Sequence, residues 1–236
     1  MIRLASWVVG LVAFSVSAGA FAQDENPVTE PAPEAASAPV AEASTGASTG
    51  GGFADKKIRL GLRLGYGLPL GSVADGSKMS DGLSGQIPIW IDAGYMVTPN
   101  VLVGLYGQYG FALTKNCPTG DDCSAHDIRF GIQAQYHLMP AESVDPWLGL
   151  GFGYEILGVS QTTQGFTVSG DVKGFEFVNL QGGADFKVAD AVAVGPFVSF
   201  SLGQYSTASQ GDVSADIQNT ALHEWLTLGV KGTFGL

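Results

Sequence analysis

From Ile58 onward, apolar and polar residues alternate with a period of two, and the alternation restarts until eight segments have been written. A period of two is the pattern of a strand whose two faces meet different surroundings. It predicts strands over about 57–69, 86–97, 100–113, 126–138, 147–157, 174–188, 192–204 and 222–236. In the first, Ile58, Leu60, Leu62, Leu64, Tyr66 and Leu68 share one face, and Arg59, Gly61, Arg63, Gly65 and Gly67 share the other. In the fourth, Ile128, Phe130, Ile132, Ala134, Tyr136 and Leu138 oppose Asp127, Arg129, Gly131, Gln133, Gln135 and His137. The sixth departs from the pattern. Phe175 and Phe177 fall on the parity that is polar elsewhere, which predicts a β-bulge that resets the register.

The connections alternate between short (98–100, 139–146, 189–191) and long and polar (70–85, 114–125, 158–173, 205–221). Mean hydropathy is +0.20 and only 14% of residues are charged, against roughly 25% in soluble domains. No segment after the N-terminus offers the run of about 18 apolar residues that suggests a spanning helix. An apolar chain without such helices has one membrane solution, a closed β-barrel. The predicted fold is therefore all-β: an eight-stranded antiparallel up-and-down transmembrane β-barrel, apolar face outward and polar face in the lumen. The 34 glycines suit a narrow, curved sheet. Outward aromatics gather toward the strand ends: Tyr66, Phe111, Tyr154 and Phe200 at the long-loop end, and Tyr95, Tyr136, Phe186 and Phe234 at the short-turn end. Two such belts match the two interfaces of a bilayer.

Ahead of the barrel, residues 1–22 read as a cleaved signal peptide: Arg3, an apolar stretch, then Ala20-Phe21-Ala22. Residues 23–55 are rich in Pro, Ala, Glu, Ser and Thr and predict a disordered periplasmic linker, leaving 56–236 as the barrel. In the last strand the run Gly229-x-x-Gly232-x-Phe234-x-Leu236 resembles the C-terminal assembly signal of bacterial outer-membrane barrels, with Leu236 where an aromatic normally stands. Over residues 57–236 the pattern resembles the small outer-membrane barrels of the OmpA, OmpX and OmpW type. The resemblance implies the outer membrane of a Gram-negative bacterium, reached by export through the inner membrane. It implies contact with lipid and lipopolysaccharide, insertion by the barrel-assembly machinery through the last strand, and a monomer. It also implies a non-enzymatic role in envelope structure or surface interaction. The OmpW type adds a narrow channel or carrier for small hydrophobic molecules as the rival role.

Lumen-facing parity selects Arg59, Arg63, Arg129, Lys187 and Lys231 against Asp92, Asp127, Glu155 and Asp185. Folding the hairpins sets Arg129 opposite Glu155 and Arg63 opposite Asp92. An eight-stranded interior is just wide enough for side chains to fill, so these charges predict a plugged barrel. Cys117 and Cys123 are the only cysteines, both in the second long loop, and in an exported chain they read as a disulfide. The loop acids Asp75, Asp81, Asp121, Asp122, Asp171, Asp212 and Asp216 fit no calcium-loop spacing and read as solvated charges. The long loops, rich in Gly, Ser and Thr, carry no aromatic cluster of the kind that anchors protein interfaces. The histidines, His126, His137 and His223, have no Ser or carboxylate at triad spacing, so neither a catalytic set nor a metal site nor a cofactor is expected. A net charge of −11 argues against nucleic acid as a partner.

Overall fold

The computed structural model describes residues 52–236. The predicted signal peptide and residues 23–51 of the predicted linker lie outside the described residues. Eight long strands form a closed antiparallel ring: β1 (Ile58–Ala74), β3 (Leu83–Met96), β4 (Val101–Thr114), β5 (Asp121–His137), β6 (Val144–Thr163), β7 (Phe166–Ala189), β8 (Val192–Gln210) and β10 (Leu222–Gly235). Each pairs with the next in the chain, and β10 closes the ring by pairing with both β1 and β8. Two short strands, β2 (Ser77–Lys78) and β9 (Val213–Asp216), and one helical turn, α1 (Met79–Gly82), decorate the long-loop end. Among the described residues no helix is long and apolar enough to cross a membrane.

The alternation sets which face each side chain takes. Along β1 every leucine from Leu60 to Leu70 is exposed, while Arg59 and Arg63 are buried. Across the barrel, Ile91, Leu105, Ile132 and Leu148 are each at least 60% exposed, whereas Arg63, Asp127, Glu155 and Glu176 are 0–1% exposed. A water-soluble fold does the reverse. Only a lipid exterior makes this arrangement favourable, because lipid replaces water outside and the charges find each other inside. The structure is thus a transmembrane barrel. The aromatics Tyr95, Tyr136, Phe186 and Phe234 lie on the outer wall toward the short-turn end, and Tyr66, Phe111 and Phe200 lie on it toward the other. Tyr154 is half-buried between Phe130 and Phe175.

Three features bear on the sequence reading: one meets it and two differ from it. The first is the bulge. Glu176 pairs with Gly153 and Asn179 with Gly151, so β7 carries one residue more than β6 across this interval. The extra residue lets Phe175 and Phe177 both face outward while Glu176 faces in. The second concerns the long connections. Residues 158–173 are not an irregular loop. They prolong β6 and β7 into a hairpin that turns at Gln164 (φ 50°) and Gly165 (φ 83°). Positive φ at both central residues is what a tight hairpin turn requires, and Gly supplies the second at no steric cost. Alternating Val, Ser and Thr keep the pairing going beyond the apolar segment. Residues 205–221 do likewise, with β8 running on to pair with β9. The third lies in the predicted linker. Its last residues, Phe53–Asp55, form a 3-10 turn against the barrel with Phe53 buried.

Candidate functional site

The inward side chains stack in three layers between two end seals. The middle layer is centred on Arg63. Its guanidinium grips Asp92 with two bonds, Nε to Oδ2 at 2.6 Å and Nη2 to Oδ1 at 2.8 Å. It also donates to Gln181 (2.8 Å) and Gln133 (3.3 Å), and Gln133 donates to Asp92 in turn. Trp90, Phe197 and Trp147 present ring faces to the same guanidinium at 4.7–5.5 Å. The pair is made differently from the sequence expectation. The register sets Arg63 opposite Trp90 and Asp92 opposite Gly61, so the bridge runs diagonally. Gly61 makes the room: a Cβ there would lie 2.6 Å from Asp92 Oδ2.

The layer toward the long loops gathers three carboxylates around one arginine. Arg129 lies directly opposite Glu155 in register. Its nearest partner is Asp127 on its own strand (2.8 Å), with Glu155 at 3.6 Å and Glu176 at 3.5 Å. Ser201 accepts from it at 2.9 Å, and the Gln86 amide bridges Asp127 and Arg129 at 3.0 and 3.2 Å. Tyr106 and Asn179 donate to Glu176. Glu155 accepts from Tyr205 (2.5 Å) and Trp225 (3.1 Å) and faces His223 Nε2 at 2.9 Å, while His223 stacks on Tyr205 with centroids 3.9 Å apart.

In the layer toward the short turns, Lys231 faces Asp185 at 3.4 Å and Gln135 at 3.3 Å, and lies over the Trp147 ring. Asp185 also accepts from Trp147 Nε1, and His137 Nδ1 contacts Asp145 at 2.8 Å. A small cavity lies among Arg59, Asp92, Gln135, His137 and Lys231, with room for roughly one water molecule.

Two predicted lumen cations take other roles. Arg59 is buried, yet among the described residues it has no carboxylate partner: it donates to the carbonyls of Phe53 (2.7 Å) and Lys56 (3.1 Å), and its guanidinium stacks 3.7 Å over the Phe53 ring. Lys187 is only half-buried and donates to the Pro140 carbonyl at the rim. Parity reasoning also missed two buried acids. Glu176 was hidden by the bulge, and Asp145 lies in what the sequence reads as a turn.

Both ends are closed. At the long-loop end, Met79 from α1 packs with Leu83, Ala125, Leu157, Tyr205 and Trp225 into an apolar lid. At the short-turn end, Phe53 and Arg59 cover the mouth beside Gly235. Such an interior suits a structural plug: multidentate pairs in low dielectric are strong only when every partner stays in place. Among the described residues no group of three His, Cys, Asp or Glu is placed to hold a metal. Tyr205 belongs to this lid, and its bonded partner Glu155 and the His223 stacked on it are 1% exposed. A disulfide joins Cys117 in the β4–β5 loop to Cys123 near the start of β5.

No family model matches the chain, and no curated protein does. Solved structures do. Neisserial surface protein A is 12% identical with a TM-score of 0.46, over 74% of this chain and 95% of that one. The attachment invasion locus protein Ail of Yersinia pestis is 12% identical with a TM-score of 0.42, over 75% and 99%. The outer membrane protein OprG from Pseudomonas aeruginosa is 14% identical with a TM-score of 0.43, over 77% and 98%. At 12–14% identity the likeness is one of fold alone.

Proposed function

We propose that this protein is a non-conducting, non-enzymatic barrel of the Gram-negative outer membrane that serves the envelope through the structures at its long-loop end. The observation that carries the reading is the filled lumen: three buried polar layers between an apolar lid and the Phe53 seal. A conduit for solutes would need these layers to part, which breaks several buried ion pairs at once. The rival channel or carrier for small hydrophobic molecules wants an apolar bore, and this one is charged. With the short turns and the N-terminal segment on the periplasmic side, the hairpin extensions of β6 to β9 stand outside the cell. Lipid and lipopolysaccharide are then the wall's partners. The Gly229, Phe234 and Leu236 run on β10 engages the assembly machinery, and the barrel works as a monomer. The test combines fractionation with labelling. The chain should sediment with the outer membrane, and a Ser214→Cys variant should react with a membrane-impermeant maleimide on intact cells. Labelling only after lysis contradicts the orientation, and recovery with soluble or inner-membrane proteins contradicts the location.

A further inference from the structure

Above the lid, the sheet inverts its faces. Ser160 pairs with Ser169, Thr162 with Thr167 and Ser209 with Ser214 through their hydroxyls, so the face that continues the outer wall becomes a polar ladder. The opposite face, which continues the lumen wall, becomes mostly apolar, with Gln161, Thr163 and Gln210 set among its apolar side chains. Val172 sits opposite Leu157 and Ala208, Ala208 opposite Ala215, and Val159, Val168, Phe166 and Val213 share that parity. The stripe therefore starts in the lid and climbs to the hairpin tips. It ends uncovered: Phe166 is 81% and Val213 71% exposed. A mostly apolar sheet face open to water marks an interaction site.

The face has acidic surroundings. Asp121 lies on it, held by Gln161, and Asp212 stands at the β8–β9 turn. Lys173, on β7 just past Val172, points to the polar side and is taken up by Asp171. A second copy would bring the same acids and a further net −11. Lipid lies against the other face of the wall. We propose that this apolar face docks a segment of a partner protein that combines large apolar side chains with Lys or Arg. The inference rests on the outward orientation proposed above, and it names the class of partner that this orientation serves.

The test uses the full chain refolded in zwitterionic-lipid nanodiscs and a short fluorescent peptide of alternating Leu and Lys, read by anisotropy against empty nanodiscs. The peptide should bind, and added salt should weaken it. Phe166→Ser with Val213→Ser should weaken it about tenfold or more. Both residues are exposed near hairpin turns, so the variant should keep the folded, heat-modifiable gel band of the parent. Peptides of alternating Leu and Glu, or Ser and Lys, should bind far more weakly. Equal binding of the Leu–Glu peptide, or unchanged affinity in the double variant, overturns the proposal. So does sedimentation that shows the parent self-associating and the double variant not, because a second copy is then the occupant. Maleimide labelling of Ser214→Cys, on the opposite face, reports the orientation separately from any of these results.

Discussion

Leu62 and Gly61 are neighbours in the chain, yet one meets lipid and the other meets Asp92. Leu62→Arg should therefore cost roughly 2–4 kcal/mol near the bilayer midplane, seen as a lower urea midpoint in liposome unfolding. Gly61→Ala pushes a methyl against Asp92 and should disturb the diagonal pair without changing the outer wall. Arg63→Ala leaves Asp92 buried without its cation and should cost about 3–5 kcal/mol. Adding Asp92→Ala should recover part of that loss, because the two residues act as one unit; strict additivity would mean that the bridge carries no coupling. At this scale alternation was a good guide to facing and a poor guide to partners. Arg63, Asp92, Asp127, Arg129, Glu155, Asp185 and Lys231 are all buried inward as parity reads them. Which atoms meet depends on strand tilt and on the space a glycine leaves, and neither is written in a period of two.

At the scale of elements, the eight strands were legible because each repeats one two-residue rule. The bulge was visible as a violation, Phe175 and Phe177 on the wrong parity, but its consequence was not: it turns Glu176 into the lumen beside Arg129. In the sequence the long connections read as loops because their Ser and Thr are polar. Paired in a hairpin, the same residues form a hydroxyl ladder whose reverse side is apolar, and that reverse side emerges only from cross-strand register. The Phe53 turn was missed because a lone aromatic in a Pro-rich segment carries no periodic signal. Phe53→Ala should cost roughly 0.5–2 kcal/mol of cation–π stabilisation at Arg59 and speed amide exchange at residues 56–59, while the ring of strands stays folded. Reducing the Cys117–Cys123 bond should speed protease cleavage within the β4–β5 loop and leave the folded-band migration unchanged, since the bond closes only a short surface segment. Loss of the folded band on reduction would place the disulfide in the barrel's own stability.

For the whole molecule, the proposed function requires a barrel that is a solid object in the membrane, with its working surface at the long-loop end. Such solidity follows from size and charge together. Eight strands leave a bore that side chains fill, and here the polar layers are joined through aromatic rings: Trp147 lies against Lys231 and Arg63, and Trp90 lies against Arg63 and Tyr106, which bonds the Glu176 beside Arg129. The most direct test is single-channel recording of the refolded full chain in a planar bilayer. A filled bore gives no resolvable current, and small openings only when Arg63 and Asp92 are both replaced by Ala. Steady, reproducible steps from the unaltered protein would contradict it and make the lumen charges a selectivity path.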